Sequence, residues 1–209
     1  MNICVFGMGY VGCVTAACLI KQGHKVIGVD VIQNKVDELN NGNWPIYEPG
    51  LRSLNDQDVF EKNFSAITDE IRALNNSELA MICVGTPEMP NGRVNFNYLE
   101  SVLDEVSGFL KNNSKDYTIL IRSTIPPGST RRLVLNRFNN RESNIQIAFL
   151  PEFLREGNAI NDFFSPSLKL VGCEDDFHIN ILENIFHDVK GEWHVTDFET
   201  AESIKYISN

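Results

Sequence analysis

Three things are scarce in this sequence, and each scarcity excludes something. Basic residues come first: 18 lysines and arginines stand against 28 aspartates and glutamates, a formal net charge of −10. Nucleic acid and anionic membranes need a basic stripe, so neither is an expected partner, although a local cluster can still hold one small anion. Long hydrophobic runs come second. No apolar stretch reaches the length of a membrane span, and no charged-then-apolar leader precedes the first strand. Paired cysteines come third. Cys4, Cys13, Cys18, Cys83 and Cys173 form no CxxC pair, and four of them sit in apolar runs where cysteine acts as a small buried hydrophobe. A reducing cytoplasm is the expected setting. His24, His178, His187 and His194 show no metal spacing and read as surface or edge residues, so no metal is expected.

What is present alternates. At 209 residues and 43% apolar composition, one good-sized core can be buried. ICVF, KVIGV, FSAIT, LAMICV, YTILIR and IQIAFL are runs of strand length, and helical patterns cover 10–22, 33–40, 68–75, 97–111 and 128–137. EGNAINDFF, LKLVG and DDFHINILENIFHDV follow as helix, strand and helix, and WHVTD reads as an edge strand. This order predicts an α/β fold: a doubly wound, mostly parallel sheet with helices on both faces. NGNWPIYEPGL (41–51) is a proline- and glycine-punctuated loop, and its length hints at a ligand-side connection. FETAESIKYISN (198–209) starts a helix with no glycine or proline to close it, so it is expected to open a longer element.

The first strand runs into Gly7, Gly9 and Gly12, and the last of these lies in a helical pattern. Strand, GxGxxG and helix in this order form the context a dinucleotide fingerprint requires. The first glycine permits the tight turn, the second lets a pyrophosphate approach, and the third lets helix and strand pack closely. The helix start then offers unpaired N–H groups to the phosphates. Asp30, at the end of the second strand, can accept both adenine-ribose hydroxyls and repel a 2′-phosphate. Val31 and Ile32 supply no arginine to welcome that phosphate, so NAD is the expected cofactor.

Further motifs follow in order: Asp30 with Lys35, PIYEPGL (45–51), VGTP (84–87), RSTIPPG (122–128), PEFLREG (151–157) and AExxKYxxN (201–209). Together with GMGYVG they resemble the nucleotide-sugar 6-dehydrogenases, the family of the UDP-glucose, GDP-mannose and UDP-N-acetylhexosamine enzymes, through essentially the whole chain. The resemblance implies a Rossmann-like fold in which Gly7, Gly9, Tyr10, Val11 and Gly12 meet the pyrophosphate and Asp30 and Lys35 hold the adenine ribose. Val84, Gly85 and Thr86 line the dinucleotide cleft. Thr124 and Glu156 sit where cofactor, sugar and catalytic water meet. Glu152, Phe153, Leu154, Arg155 and Glu156 form the substrate loop, and Lys205 and Asn209 point at the sugar C6. It also implies domains 1–196, binding NAD, and 197–209, the start of a central helix through which full-length relatives form homodimers. The implied partner is a UDP- or GDP-linked sugar, and the implied activity is oxidation of its C6 alcohol to a uronate with two NAD.

The residues themselves leave some of these roles open. Lys205 and Asn209, four apart, share a helix face, which is either an ordinary solvated face or an oxyanion clamp. Glu152 and Glu156 follow a strand, where parallel sheets bind ligands, yet they also read as a surface pair. Thr124 precedes Ile125 and Pro126 and is either a site hydroxyl or a turn hydroxyl. The family's thiol nucleophile lies in a second domain beyond the central helix, and none of the five cysteines here fits that role. The expectation is a chain that binds NAD without completing the oxidation alone. Ser165–Pro166–Ser167–Leu168–Lys169 stands where UDP-glucose enzymes carry a P-D-R run, and Leu150 stands where asparagine is frequent, which weakens a specific reading for UDP-glucose. A stand-alone NAD-binding module is the competing reading, and the sugar-side residues argue against it. A β-hydroxyacid dehydrogenase lacks PEFLREG.

Overall fold

The computed structural model describes residues 1–113, 115–138 and 145–208. Strand β1 (Asn2–Phe6) leads to helix α1 (Tyr10–Lys21), β2 (Lys25–Val29), α2 (Gln33–Asn40), α3 (Gln57–Asn63), β3 (Phe64–Ile67), α4 (Glu70–Asn75) and β4 (Leu79–Ile82). The second half continues with α5 (Asn97–Lys111), β5 (Tyr117–Ile121), a π-helical stretch (Thr130–Leu135), α6 (Asn136–Phe138), β6 (Ile145–Phe149) and α7 (Ala159–Phe164). It ends with β7 (Lys169–Cys173), α8 (Asn180–Ile185), β8 (Trp193–Thr196) and α9 (Phe198–Ser208).

The strands form one sheet in the order β3-β2-β1-β4-β5-β6-β7-β8. Strands buried on both faces can be apolar throughout, and β4 and β5 are buried at every position. Alternation then assigns each residue a face. Ile3, Val5, Leu79 and Met81 pack with α1, α2, α7 and α8. Cys4, Phe6, Ala80 and Ile82 pack with α4, α5, the π-helical stretch and α9. Each large side chain fully buried in this way contributes roughly 1.5–3 kcal/mol, so no single contact decides the fold. The chain winds outward from β1 to β3, then returns to lay β4 on the other side of β1. That reversal opens a crevice beyond the carboxyl ends of β1 and β4, the place where such sheets bind ligands.

The alternating α/β reading therefore holds, with four differences. Strand β7 runs antiparallel to β6, although β8 is again parallel to β7. The segment after α2 contains a further short helix, α3, whose buried residue Phe60 packs against Trp44 and Phe64. The helix expected over 128–137 takes π-helical form for most of its length. His24 is no surface residue: it is 5% exposed, with Nε2 placed 2.9 Å from the Ile185 carbonyl. The turn that leads from α1 to β2 carries it under α8, a contact between residues far apart in the chain.

Helix α9 lies against β7 because both surfaces are small there. A Cβ on Gly172 would stand 2.7 Å from the Ala201 Cβ. This close approach fixes the side chains that α9 turns inward, Glu202 and Lys205. Glu202, fully buried, accepts hydrogen bonds from the backbone N–H of Gly128 (2.5 Å) and Thr130 (2.7 Å) and so caps the π-helical stretch. Burial pushes its carboxyl above the ordinary range, and those donors only partly oppose the shift. Among the described residues, no helix is long and apolar enough to cross a membrane.

Candidate functional site

At the end of β1 the three glycines do three different jobs. Gly7 adopts φ +87°, and a Cβ there would sit 2.9 Å from the Val84 Cα. A side chain on Gly12 would stand 2.0 Å from the Gly7 carbonyl oxygen, so only glycine lets α1 start this close to the turn. Gly9 is the opposite case: a Cβ there would meet nothing within 4 Å. It caps α1 without a side chain, and the first turn carries no acidic residue. The helix start thus faces open space with uncompensated N–H groups and positive dipole, which is a seat for an anion.

A cleft of about 280 Å3 runs from Gly9 past Val84 and Gly85 to Asp30, Lys35 and Tyr98. Asp30, 8% exposed, is already held: Oδ2 accepts from Met8 N (3.0 Å) and from Lys35 Nζ (2.6 Å), and Oδ1 accepts from Ile32 N (3.1 Å). Two backbone donors aim the carboxylate while Lys35 neutralises it, so Asp30 and Lys35 form one unit at the rim. Beside them Val31 and Ile32 expose apolar surface, 79% and 52% accessible, and Tyr98 faces the same cleft from α5 at 58%. Exposed apolar groups gathered around a concave site mark a surface for a flat ligand. Tyr98 was missed in the sequence. The available signal was its place off the apolar stripe Leu99, Val102, Leu103 and Val106 of α5.

The neighbouring loops are stitched together at the carboxyl ends of β4 and β5. Thr86 Oγ1 donates to the Thr124 carbonyl at 2.6 Å, and Ser123 Oγ donates to the Val84 carbonyl at 2.6 Å. Thr86 and Thr124 are therefore adjacent in space, and both are half-buried.

Beyond β6 the loop 151–157 carries the acidic residues. Glu152 accepts from Leu154 N (2.8 Å) through Oε2 and meets Lys205 Nζ at 3.2 Å through Oε1, with the two side chains 9% and 5% exposed. The same ammonium lies 5.3 Å from the Phe153 ring centre. Lys205 thus belongs to no solvated helix face; it is a buried cation paired with Glu152 beside the Phe153 ring. Arg155 turns aside. It grips Asp162 with Nε (3.0 Å) and Nη2 (2.7 Å), and this pairing holds the Asp162 carboxyl below its usual range. Glu156 is exposed, and Leu154 is half-buried. Asn209 lies outside the described residues.

One site residue was legible only as a turn residue. Glu48, in PIYEPGL, is 5% exposed and accepts from Tyr10 Oη (2.5 Å) and Gly157 N (2.8 Å) at Oε2 and from Ala159 N (2.8 Å) at Oε1. Burial opposes its charge, yet these donors outweigh burial and hold its carboxyl below the ordinary range. Nothing local in a proline- and glycine-flanked glutamate announces partners more than a hundred residues away.

The thiols do not join the cleft chemistry. Burial pushes Cys4 up to about 11, Cys13 and Cys83 up to about 12, and Cys173 up to about 11, and it raises Cys18 as well. None is a thiolate at neutral pH. Among the described residues, no group of three or more His, Cys, Asp or Glu side chains is placed to hold a metal ion.

Residues 1–190 match the family described as "UDP-glucose/GDP-mannose dehydrogenase family, NAD binding domain". A GDP-mannose 6-dehydrogenase of Pseudomonas putida is 38% identical across the whole of this chain, which covers 49% of that protein. A UDP-glucose 6-dehydrogenase of Bacillus subtilis is 35% identical across the whole chain, which covers 47% of it. A crystal structure of GDP-mannose dehydrogenase from Pseudomonas aeruginosa, a ternary complex, superposes with a TM-score of 0.93 at 37% identity, covering 100% of this chain and 49% of that one. The chain spans about half the length of the relatives it matches.

Proposed function

We propose a function from one premise: this chain belongs to the UDP-glucose/GDP-mannose dehydrogenase family and carries its NAD-binding domain. It binds NAD and contributes the cofactor half of a nucleotide-sugar 6-dehydrogenase that oxidises the C6 alcohol of a UDP- or GDP-linked sugar to a uronate. The observation that carries this reading is a cleft open at Gly9 and closed by the fixed carboxylate of Asp30. Gly9, Tyr10, Val11 and the α1 N-terminus would hold the pyrophosphate, Asp30 with Lys35 the adenine ribose, and Val84 to Thr86 the wall toward the nicotinamide. When bound, NAD supplies an acceptor for hydride.

On the sugar side, Lys205 places a positive charge where an alcohol oxygen gains negative charge, and Glu152 fixes its position. Phe153 and Leu154 shape the loop that meets the sugar, Arg155 and Glu156 supply its polar groups, and Thr124 stands at the junction with the cofactor. Asn209 is the proposed second donor to that oxygen. Residues 1–196 form the NAD-binding domain on this reading, and 197–209 begin the connecting helix. Along α9, Ile204, Tyr206 and Ile207 are 36%, 48% and 85% exposed, which supports pairing with a second copy. Five free thiols support a cytoplasmic setting.

The test is calorimetric titration of the chain and of Asp30→Asn with NAD and with NADP. NAD binding to the native chain alone, with preference lost in Asp30→Asn, is the expected result. Equal binding of both dinucleotides to the native chain overturns the role of Asp30.

A further inference from the structure

We propose that Glu48 is a positioning residue that couples the two ligand-facing loops, so that occupancy of the dinucleotide seat at Gly9 tightens the loop leading out of 152–157. The proposal rests on the NAD-binding reading above and deepens it.

Three chain segments converge on this one carboxylate. Tyr10 is the first residue of α1, next to the open flank of Gly9. Its hydroxyl shares Glu48 Oε2 with the backbone N–H of Gly157, the last residue of the substrate-loop motif. The other oxygen, Oε1, takes the N–H of Ala159, the first residue of α7. A carboxylate with three donors at 2.5–2.8 Å has little freedom to move independently of any of them. Gly157 sits at φ +84°, a left-handed conformation that glycine reaches without steric cost, and its N–H in that conformation is held by Glu48. The next glycine-bearing turn belongs to the same knot: Gly50, two residues past Glu48, also has positive φ and lies 3.6 Å from the Ile160 side chain once a Cβ is placed on it.

The mechanical consequence follows from sharing an oxygen. An anion seated on the α1 N-terminus draws that first turn into a single position. Tyr10 Oη then presents Glu48 Oε2 to Gly157 in a single geometry, and the backbone from Gly157 into α7 is ordered with it. By linkage, ordering of the substrate loop favours the dinucleotide in return. A merely structural clamp makes no such connection: its loss loosens 157–159 equally with and without ligand.

Amide hydrogen exchange at Gly157 and Ala159, measured without NAD and at saturating NAD with saturation verified by calorimetry, reads the coupling directly. In the native chain NAD should slow exchange at both amides by about fivefold or more, the low end of ordinary coupling between sites. Glu48→Gln keeps the shape and removes the charge; Tyr10→Phe removes a single hydroxyl and serves if Glu48→Gln fails to fold. Loss of the NAD-dependent slowing in either variant, with NAD bound, supports the proposal. Slowing undiminished in both variants overturns it, as does a native chain that binds NAD without slowing at these amides. A native chain that binds no NAD overturns the functional reading, and this proposal with it.

Discussion

The two ends of the proposed site are built by opposite means. At the dinucleotide end the working feature is room: Gly7 and Gly12 remove side chains so that backbone can close up, and Gly9 leaves space uncovered. At the proposed sugar end the working feature is buried charge already held by partners: Lys205 with Glu152, and Glu202 on the backbone N–H groups of Gly128 and Thr130. Room is specified by single residues. Paired burial is specified by elements that meet only after folding. The two ends should therefore fail differently when mutated.

The largest separation is expected between two glycines of one motif. Gly12→Ala forces a methyl to within 2.0 Å of the Gly7 carbonyl oxygen and should cost ~3 kcal/mol or more, read as a drop in the urea midpoint. Gly9→Ala, three residues earlier and facing open space, should change stability by less than ~0.5 kcal/mol while weakening NAD at least tenfold. Equal stability losses at the two positions break the distinction between closing and opening glycines.

At the proposed sugar end, Lys205→Met leaves Glu152 buried without its cation and should cost roughly 3 kcal/mol. Adding Glu152→Gln should return part of that loss, because removing both charges costs less than stranding one. Strict additivity in the double-mutant cycle contradicts the pairing. Lys35→Met should cost less, below about 1 kcal/mol, since its side chain is 24% exposed and solvent screens the pair.

The smallest effect is a pH slope far from both ends. Burial, with the N-terminal amine and His187 nearby, holds His24 below its ordinary range, although the Ile185 carbonyl pulls the other way. The unfolded chain then binds more protons than the native one in the window just under the usual histidine value of about 6.5. Stability should rise with pH through that window and level off above it. His24→Gln should flatten that segment of a stability–pH curve; an unchanged slope assigns it to other groups.

The same contrast explains what could be read from the sequence. The glycine loop, Asp30 and the existence of β1 to β6 were legible because each rests on local periodicity or on a residue whose backbone or chemistry is restrictive. Strand β7 gave no sign of its direction, since a short run such as KLVGC pairs either way. Helix α3, QDVFEKN, carries one buried anchor and no periodicity to detect. Lys205 left a solvated face and a clamp both open because its burial depends on Phe153 and Glu152, in a distant part of the chain. Glu48 and His24 share that reason: their partners come from other elements, and a charge or ring in isolation resembles a surface residue.

Thermal unfolding of the native chain and of Gly9→Ala, each with and without NAD, tests the central claim that the open glycine turn seats the dinucleotide. Ligand at a hundredfold excess over its Kd adds about 2.7 kcal/mol, or about 5–10 °C for a domain of this size. The account predicts that rise for the native chain and at most a small fraction of it for Gly9→Ala at the same NAD concentration, with both chains melting together in its absence. A full rise in the variant places the dinucleotide elsewhere, and no rise in the native chain contradicts the binding itself.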